Sequence, residues 1–369
     1  MYFAIAREAI LKPLQLVSGV VERRQTLPVL SNVLLSLNSS GELAITGTDL
    51  EVELIGRVQV GGNTTPGEIT VPARKLVDIC KSLADDATLE FTVDDGKMII
   101  KSGRSRFSLA TLPASEFPGT EEEPGTIELS VPQQALKTLL DGTSFAMAQQ
   151  DVRYYLNGML FELASDYLRV VATDGHRLAM QTLKTQNNIE APVQLILPRK
   201  GVIELGRLLT GEEADISIVF GRNHVRAKTA DVTFTSKLVD GKFPDYNRVL
   251  PRGGDKLVTG DRMELKQAFA RTSILSNEKY RGVRVLLSNE EMRIVANNPD
   301  QEEAEESVSV DYHGEDLEIG FNVSYLVDVL TVLSSERVRM TLIDSNSSAL
   351  LEAADGEGEA LYVVMPMRL

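Results

Sequence analysis

The chain has 369 residues, a formal net charge of −15 and 43% apolar residues, so it is long and apolar enough to bury several cores. Its single cysteine excludes intrachain disulfides and thiolate metal clusters, and its three histidines lie far apart, so we expect no metal site and no cofactor. No apolar run reaches the roughly 18 residues of a membrane span, and no basic N-terminal region precedes an apolar stretch, so we expect no membrane association, no secretory signal and a cytoplasmic location.

The first third of the chain opens with apolar residues at helical spacing: Ile10, Leu14, Val17 and Val21. Pro13 lies inside this pattern and predicts a late helix start or a kink. A second helix is predicted over 73–83, where Cys80 shares the apolar face and is expected to be a buried small side chain rather than a nucleophile. Asp95 and Gly96 stand between two apolar runs and predict a β-hairpin.

The same order of elements returns twice. The middle third predicts helices over 132–150 and 198–209 and strands at 216–219 and 232–235. The last third predicts helices over 262–277 and 322–333 and strands at 338–342 and 361–364. Two helices packed on antiparallel sheets in each third give an α+β fold.

The repeated sequence itself supports this division. Residues 43–49 return as 168–174 and again as 292–298, residues 71–77 return near 197 and 321, and residues 117–119 return as 243–245. Solenoid repeats have periods of roughly 20–50 residues, so repeats of this length are whole domains. We predict three domains, at 1–126, 127–255 and 256–369. Three similar domains in a row suggest an arc that closes into a ring with a second copy.

Charge is unevenly distributed along the chain. The six predicted helical segments carry more Lys and Arg than Asp and Glu, whereas the remainder is strongly acidic. If these helices share one side of the arc, that side would hold a polyanion and the outside would repel it. The alternative is that Lys and Arg are simply good residues for exposed helix faces.

Several blocks of the sequence match a known family. They are TLPVL at 26–30, TGTDLE at 46–51, DVRYYLNG at 151–158, ATDGHRL at 172–178, SKLVDG at 236–241 and YVVMPMRL at 362–369. Along its whole length the chain resembles the bacterial sliding clamps, the beta subunits of DNA polymerase III. The resemblance implies three clamp domains that form half of a six-domain ring, with helices lining the hole and sheets outside.

The resemblance also implies function and partners. The expected protein is a head-to-tail homodimer that encircles double-stranded DNA without sequence preference and tethers the replicative polymerase catalytic subunit, with no catalytic activity of its own. Further expected partners are the clamp loader, translesion polymerases, ligase and mismatch-repair proteins, each carrying a short clamp-binding motif.

Two sets of site residues follow from the resemblance. The residues expected to face DNA are Arg24, Gln150, Tyr154, Tyr155, Arg199 and Lys200, with Arg74 and Arg207 as further candidates. For Tyr155 the alternative is packing on the domain core. The residues expected at the dimer interface are Lys75, Arg104, Arg106, Phe107 and Leu109 at one end and Ile274, Leu275, Glu302, Glu303, Glu305 and Glu306 at the other. Phe107 and Leu109 would lie on a strand that extends the partner's sheet, and the alternative for the glutamates is a solvated loop.

The third implied site is an apolar cleft that receives the partner's motif. Its expected residues are Leu156, Thr173, Gly175, His176, Arg177, Leu178, Pro244, Arg248, Val249, Ser348, Val363, Val364, Met365, Pro366 and Met367. Methionines repack around different apolar groups, which suits a site with many partners. Residues 363–367 alone would also fit a terminal core strand. Asn346 and Asn247 stand where relatives have an apolar and a basic residue, so the width and preference of the cleft are open.

Two other functions remain possible from the sequence. Asp174 and His176 offer a carboxylate and an imidazole to a hydrolase, but no nucleophile motif accompanies them. The equivalent Asp49 has no histidine after it, which favours a backbone role for the aspartate. The second possibility is a scaffold that uses the peptide cleft without binding DNA.

Overall fold

A computed structural model describes residues 1–22, 27–119, 125, 127–210, 214–356 and 358–368. The α-helices in this part of the chain are α1 (Arg7–Ser18), α2 (Ala73–Ser82), α3 (Gln133–Asp141), α4 (Arg199–Leu208), α5 (Arg262–Thr272) and α6 (Val323–Val332). None of them is long and apolar enough to cross a membrane.

The strands of the first repeat and the start of the second are β1 (Tyr2–Ala6), β2 (Asn32–Leu37), β3 (Glu42–Thr48), β4 (Val52–Gln59), β5 (Gly67–Pro72), β6 (Thr88–Asp94), β7 (Lys97–Ser102), β8 (Ser105–Ala110), β9 (Ile127–Pro132), β10 (Gly158–Leu163), β11 (Tyr167–Thr173) and β12 (Arg177–Lys184). The remaining strands are β13 (Val193–Pro198), β14 (Asp215–Phe220), β15 (His224–Lys228), β16 (Val232–Lys237), β17 (Lys256–Asp261), β18 (Gly282–Ser288), β19 (Glu291–Asn297), β20 (Glu303–Ser309), β21 (Leu317–Asn322), β22 (Arg337–Leu342), β23 (Ala349–Ala353) and β24 (Ala360–Val364).

The chain divides into two compact units. Unit 1 comprises Met1–Leu136 and Lys200–Leu238, and unit 2 comprises Lys137–Arg199 and Val239–Leu369. Unit 1 has an eight-stranded sheet, β5-β2-β3-β4-β16-β15-β14-β9, and a four-stranded sheet, β1-β6-β7-β8. Unit 2 repeats this plan with β13-β10-β11-β12-β24-β23-β22-β17 and β20-β19-β18-β21. Neighbouring strands pair antiparallel, in agreement with the predicted α+β class.

In unit 1, helix α1 lies directly on β3 and β4 because two glycines leave room for it. A Cβ at Gly47 would lie 2.8 Å from Val17 Cγ1, and one at Gly56 would lie 2.9 Å from Pro13 Cβ. The helix begins at Arg7 and continues through Pro13, so the prediction of a late start is wrong. The pyrrolidine ring packs against the bare backbone of Gly56.

Local signals in the sequence are confirmed in other places. Asp95 and Gly96 have φ values of 43° and 69° and join β6 to β7, as the hairpin signal predicts. Cys80 is fully buried, and burial raises the pKa of its thiol to about 11, so it is a core side chain.

The predicted helices 132–150 and 262–277 are too long. Helix α3 ends at Asp141, and the Thr143 hydroxyl donates to Leu139 O at 2.6 Å. Helix α5 ends at Thr272, whose hydroxyl donates to Ala268 O at 2.9 Å. In each case a threonine hydroxyl occupies a carbonyl of the last turn, and a short 3₁₀ turn follows the helix.

In each repeat the first side chain of one helix bonds to backbone at or beyond the end of the other helix, as a donor in two repeats and as an acceptor in one. Arg7 begins α1 and donates to Cys80 O at the end of α2, at 2.8 Å. Arg262 begins α5 and donates to Ser335 O at 2.6 Å, beyond the end of α6. Gln133 begins α3 and accepts from the Thr210 amide at 3.4 Å, after α4. The first side chain of one helix thus satisfies backbone groups at the end of the other.

Candidate functional site

The turn at residues 173–177 is the centre of the predicted cleft. The Thr173 hydroxyl accepts from Gly175 N at 3.1 Å and donates to Arg177 O at 2.6 Å. Asp174 Oδ1 accepts from the amides of His176 and Arg177 at 2.9 and 3.0 Å, and its Oδ2 accepts from Arg177 Nε at 3.1 Å. Both carboxylate oxygens of Asp174 therefore shape the turn, while the His176 side chain is exposed.

The Arg177 side chain extends from this turn to helix α6. Its Nη1 pairs with Asp328 at 2.5 Å and its Nη2 donates to Phe145 O at 2.8 Å. The guanidinium lies over the rings of Phe145 and Tyr325, 5.2 and 4.5 Å from their centroids. Arg177 is thus a fixed wall of the site rather than a mobile surface cation.

An apolar cluster forms the floor beside this turn. Its buried members are Ala148, Leu156, Leu160, Val171, Leu178, Met180, Ile196, Phe243, Tyr246 and Val363. The predicted cleft residues Leu156, Leu178 and Val363 come together here, and Val249 packs on the edge of the cluster.

The other predicted cleft residues surround this floor at different depths. Val364 is buried; Thr173, Gly175, Arg177, Ser348, Met365, Pro366 and Met367 are half-buried; His176, Pro244 and Arg248 are exposed. Asn346 and Asn247 are also exposed. The structure therefore gives the site an apolar floor with a polar and partly basic rim.

The C-terminal segment has two parts. Val363 and Val364 are buried in β24, as a terminal core strand would be. Beyond β24, Met365 N donates to His176 O at 2.9 Å and Met367 N donates to Gly320 O at 2.8 Å. Pro366 has no N–H to donate between them. Residues 365–367 thus leave the sheet and stay half-buried at the rim.

Arg153 is a rim residue that the sequence reasoning missed. Its guanidinium donates to Asp151 Oδ2 at 2.8 Å and to Asp174 O at 3.3 Å, and a Cβ at Gly175 would lie only 3.0 Å from Nη2. Hydrogen bonds from the Arg153 side chain and backbone hold the pKa of Asp151 at about 2. The spacing of Asp151 and Arg153 in a family block was the available signal.

The residues predicted to face DNA differ in solvent exposure and in the protein groups that they already contact. The Tyr154 side chain is 57% exposed, and its hydroxyl donates to Asp240 O at 3.0 Å. Tyr155 packs against the apolar cluster, as its alternative interpretation expected, with its ring 5.7 Å from that of Tyr154. Gln150 is exposed with φ of 56°, and Arg24 lies outside the described residues.

Arg199 and Lys200 open helix α4 but already have protein partners. Arg199 donates to Met147 O at 3.3 Å, and burial with the nearby Arg177 charge lowers its pKa. Lys200 Nζ contacts Val20 O, Glu22 and Asp49 at 3.2, 2.9 and 2.5 Å. Burial opposes the charge of Lys200, but its hydrogen bonds to the two carboxylates outweigh burial and raise its pKa. Among the further candidates, Arg74 is exposed and Arg207 pairs with Glu204.

The predicted interface residues lie on and around two edge strands. Phe107 is half-buried and Leu109 buried on β8, the last strand of its sheet, and Lys75, Arg104 and Arg106 are exposed. Ile274 is 74% exposed and Leu275 half-buried. Glu303, Glu305 and Glu306 lie on edge strand β20, so the loop alternative is wrong for these three, whereas Glu302 is exposed just before the strand. Glu306 already pairs with Arg271, Oε2 to Nη2 at 2.7 Å.

Comparison with protein families matches three consecutive parts of the chain. Residues 1–121 match the DNA polymerase III beta subunit N-terminal domain, residues 130–245 its central domain and residues 247–368 its C-terminal domain. The chain is 63% identical to the beta sliding clamp of Pseudomonas aeruginosa and 52% identical to that of Escherichia coli, over 100% of each protein.

Solved structures give the same result. A crystal structure of DNA polymerase III subunit beta from Pseudomonas aeruginosa aligns with a TM-score of 0.97 over 100% of both chains, at 63% identity. A structure of that clamp bound to griselimycin also aligns with a TM-score of 0.97, at 63% identity over 100% of both chains. The beta subunit from Thermotoga maritima aligns with a TM-score of 0.93 at 28% identity, over 100% of this chain and 99% of that one.

Proposed function

The chain belongs to the DNA polymerase III beta subunit family, and we propose that it is a sliding clamp that encircles double-stranded DNA as a head-to-tail homodimer. The clamp tethers the replicative polymerase and performs no catalysis. A role in chromosome replication also gives a cytoplasmic location in a bacterium. The observation that supports the ring is the repetition of the sheets. The strands that pair at the centre of each eight-stranded sheet have equivalents at the edges of the four-stranded sheets, so two copies can pair there in the same way.

Each eight-stranded sheet consists of two four-stranded halves that pair at its centre. The register of this central junction is the same in both sheets. Leu54 of β4 faces Phe234 of β16, and Ala179 of β12 faces Tyr362 of β24. Leu54 and Ala179 hold equivalent positions, since their hairpin partners Gly47 and Ala172 are equivalent in the repeat. Both junctions therefore place an aromatic residue opposite a smaller apolar one.

Each four-stranded sheet has an edge strand that is equivalent to one of the two strands at these central junctions. Strand β8 is equivalent to β16, and strand β20 is equivalent to β4. Phe107 of β8 faces Ile100 in its hairpin, as Phe234 faces Ala227, and Ala304 of β20 faces Ala296, as Leu54 faces Gly47. Pairing β8 of one copy with β20 of another would build a third eight-stranded sheet and remove two open edges.

This register predicts specific pairs across the interface. With Phe107 opposite the partner's Ala304, Arg106 stands opposite the partner's Glu305, and Ser108 opposite the partner's Glu303. One of these pairs, Arg106 with the partner's Glu305, joins opposite charges, and Glu305 also lies 3.4 Å from Arg293 of its own sheet. Lys75, Arg104, Ile274, Leu275, Glu302 and Glu306 are proposed to border the same contact.

Charge exchange tests the register. Arg106→Glu should weaken the dimer by about fivefold to tenfold, as measured by sedimentation equilibrium. Adding Glu305→Arg should restore the dimer, whereas adding Glu303→Arg should not. Equal rescue by the two second changes would contradict the register, and no effect of Arg106→Glu would contradict the contact.

DNA contact is proposed to be weak and blind to sequence. Phosphate contacts of this kind give affinities of roughly 10⁻⁴ to 10⁻⁶ M and permit sliding. The exposed Tyr154 and Gln150 have the strongest support, and Arg24, Tyr155, Arg199 and Lys200 remain proposed with them. Lys200 has less support as a DNA contact than the others, because its amino group already contacts Val20 O, Glu22 and Asp49.

The cleft is proposed to bind a short apolar segment of the replicative polymerase, the clamp loader, translesion polymerases, ligase and mismatch-repair proteins. Its support is the floor of Leu156, Leu178 and Val363 and the half-buried Met365 and Met367 at the rim. The griselimycin complex of a relative with 63% identity adds to this support.

Topological retention on DNA tests the whole function. The protein would be loaded on nicked circular DNA with clamp loader and ATP, isolated by gel filtration, and the DNA then cut once. We expect the protein to remain on circles and to leave linear DNA. Retention after cutting would contradict encirclement, and failure to load would favour the scaffold alternative.

A further inference from the structure

A buried carboxylate lies beside the apolar floor of the cleft. Glu162 on β10 is 6% exposed. Its Oε1 accepts from the hydroxyls of Tyr246 and Tyr167 at 2.8 and 2.9 Å, and its Oε2 accepts from Gln194 Nε2 at 2.5 Å. Arg169 lies 3.4 Å from Oε1 and donates to the Tyr246 hydroxyl at 3.0 Å. The carboxylate thus has a complete set of partners.

These contacts keep the network in one protonation state. Burial alone would raise the pKa of Glu162, but hydrogen bonds from Gln194, Tyr246 and Tyr167 and the charge of Arg169 outweigh it and lower that pKa. Burial is the main cause that raises the pKa of Tyr246 to about 12. At neutral pH the phenol therefore donates to an ionised carboxylate, a strong class of hydrogen bond.

Tyr246 connects this network to the rim of the cleft. It begins the 3₁₀ turn Tyr246–Arg248, and its ring is a buried member of the apolar floor. Val249 N donates to Tyr246 O at 3.0 Å, and Arg248 N donates to Asp245 O at 3.2 Å. The backbone of Arg248 and Val249 thus continues directly from Tyr246, whose hydroxyl donates to Glu162.

We propose that the Tyr246 hydroxyl and the Glu162 carboxylate are positioning groups for the cleft, which hold the Arg248 and Val249 rim in its ligand-ready place. The inference rests on the proposed peptide-binding function of the cleft. Neither group needs to touch the ligand. Without the hydrogen bond the turn would sample other positions, and binding would have to order it at a cost in affinity.

The chain offers a matched pair of variants. Tyr246→Phe and Tyr167→Phe each remove one hydroxyl that donates to the same oxygen of Glu162, but only Tyr246 belongs to the rim turn. Griselimycin binding to the full-length protein would be measured by surface plasmon resonance. Tyr246→Phe should weaken binding on the order of tenfold, mainly through faster dissociation. Tyr167→Phe should leave affinity unchanged within about twofold.

Amide hydrogen exchange gives a second readout that general loss of stability would not reproduce. Exchange at Val249 and Arg248 should accelerate in Tyr246→Phe and not in Tyr167→Phe. If Tyr246→Phe folds poorly, Glu162→Gln, which keeps the side-chain size, should weaken binding by about threefold and accelerate the same amides.

Equal loss of affinity in both tyrosine variants, or no loss in Tyr246→Phe or Glu162→Gln, would overturn the positioning role and leave the cleft function standing. Failure of the unaltered protein to bind griselimycin would overturn the cleft function as well, so the two failures are distinguishable.

Discussion

The turns at residues 48–52 and 173–177 share one backbone design. Thr48 accepts from Leu50 N at 3.0 Å and Asp49 Oδ1 accepts from the amides of Glu51 and Val52 at 3.0 and 2.8 Å, as Thr173 and Asp174 do in the second turn. The strand that follows also pairs alike, since Lys237 N donates to Glu51 O at 2.8 Å where Met365 N donates to His176 O.

The two turns differ in the residue after the aspartate and in the cation beside it. Leu50 has φ of 78° and a side chain 43% exposed, whereas Gly175 has φ of 89° and lies beneath Arg153. Asp49 pairs with Lys200 of a distant helix, whereas Asp174 pairs with Arg177 of its own turn. The aspartate is therefore a structural element of the repeat, and the two turns differ in the side chains that surround it.

The largest expected effect is the loss of Asp49. Its side chain is 6% exposed and pairs with Lys200, so Asp49→Ala should cost about 3 kcal/mol of unfolding free energy in urea titrations. Asp174→Ala should cost about 2 kcal/mol, because the Asp174 side chain is 18% exposed and its partner Arg177 keeps Asp328. Asp49→Asn, which can keep the amide acceptor, is the control. A larger cost for Asp174→Ala would reverse the comparison.

Replacing Gly175, which follows Asp174, should have the next largest effect on the free energy of unfolding. Gly175→Leu should cost about 2 kcal/mol, because φ is positive there and a Cβ would meet Arg153. Griselimycin binding should also fall, since the rim is displaced. Gly175→Asn, which tolerates positive φ better, should lose less stability. Equal stability of the leucine variant and the unaltered protein would refute the strain argument.

A pH-dependent effect of intermediate size is expected near the first turn. Glu204 is 3% exposed; burial raises its pKa despite Arg207 and Lys200, and its Oε2 has no hydrogen-bond partner in the described chain. Ionising it costs stability as pH rises above its usual value of 4.5 through the raised folded value. The stability of Glu204→Gln relative to the unaltered protein should therefore rise between pH 4 and pH 8. An equal difference at both pH values in thermal unfolding would show that ionisation is not its cause.

The smallest expected effect is at Leu50. Leu50→Gly should change stability by less than about 0.5 kcal/mol, because relief of the positive φ offsets the greater freedom of the unfolded chain. Leu50→Ala keeps the strained backbone and serves as the control. A loss above about 1.5 kcal/mol in urea titrations of the glycine variant would mean that the leucine side chain packs in the fold.

Short-range features of the molecule were predictable from sequence. The repeat identified the Asp49 and Asp174 turns, and the pattern around Asp95 identified a hairpin, because both depend on neighbouring residues. Cys80 was correctly assigned to the core by helical spacing. Leu156, Leu178 and Val363, which only the family resemblance brought together in advance, share one apolar cluster, and their place in a peptide cleft stays a prediction.

Long-range contacts were not predictable in the same way. Lys200 meets Asp49 and Arg177 meets Asp328, each pair 151 residues apart in the chain. A late start of α1 was one of two alternatives predicted from Pro13, and it is wrong because the room that Gly56 provides for Pro13 comes from another element. These features depend on tertiary packing, which overrides local propensity.

The interleaved sheets have a consequence for how the gene can be divided. Strand β4 of the first repeat completes its ladder with β16 of the second, and β12 of the second with β24 of the third. Fragments cut at the repeat boundaries would expose these edges and tend to aggregate. The paired strands lie together in the two compact units, Met1–Leu136 with Lys200–Leu238 and Lys137–Arg199 with Val239–Leu369, whose boundaries fall inside α3 and α4. A triplicated sequence thus folds with strand pairs that cross its repeat boundaries, so circular permutation or co-expression of pieces must keep β4 with β16 and β12 with β24.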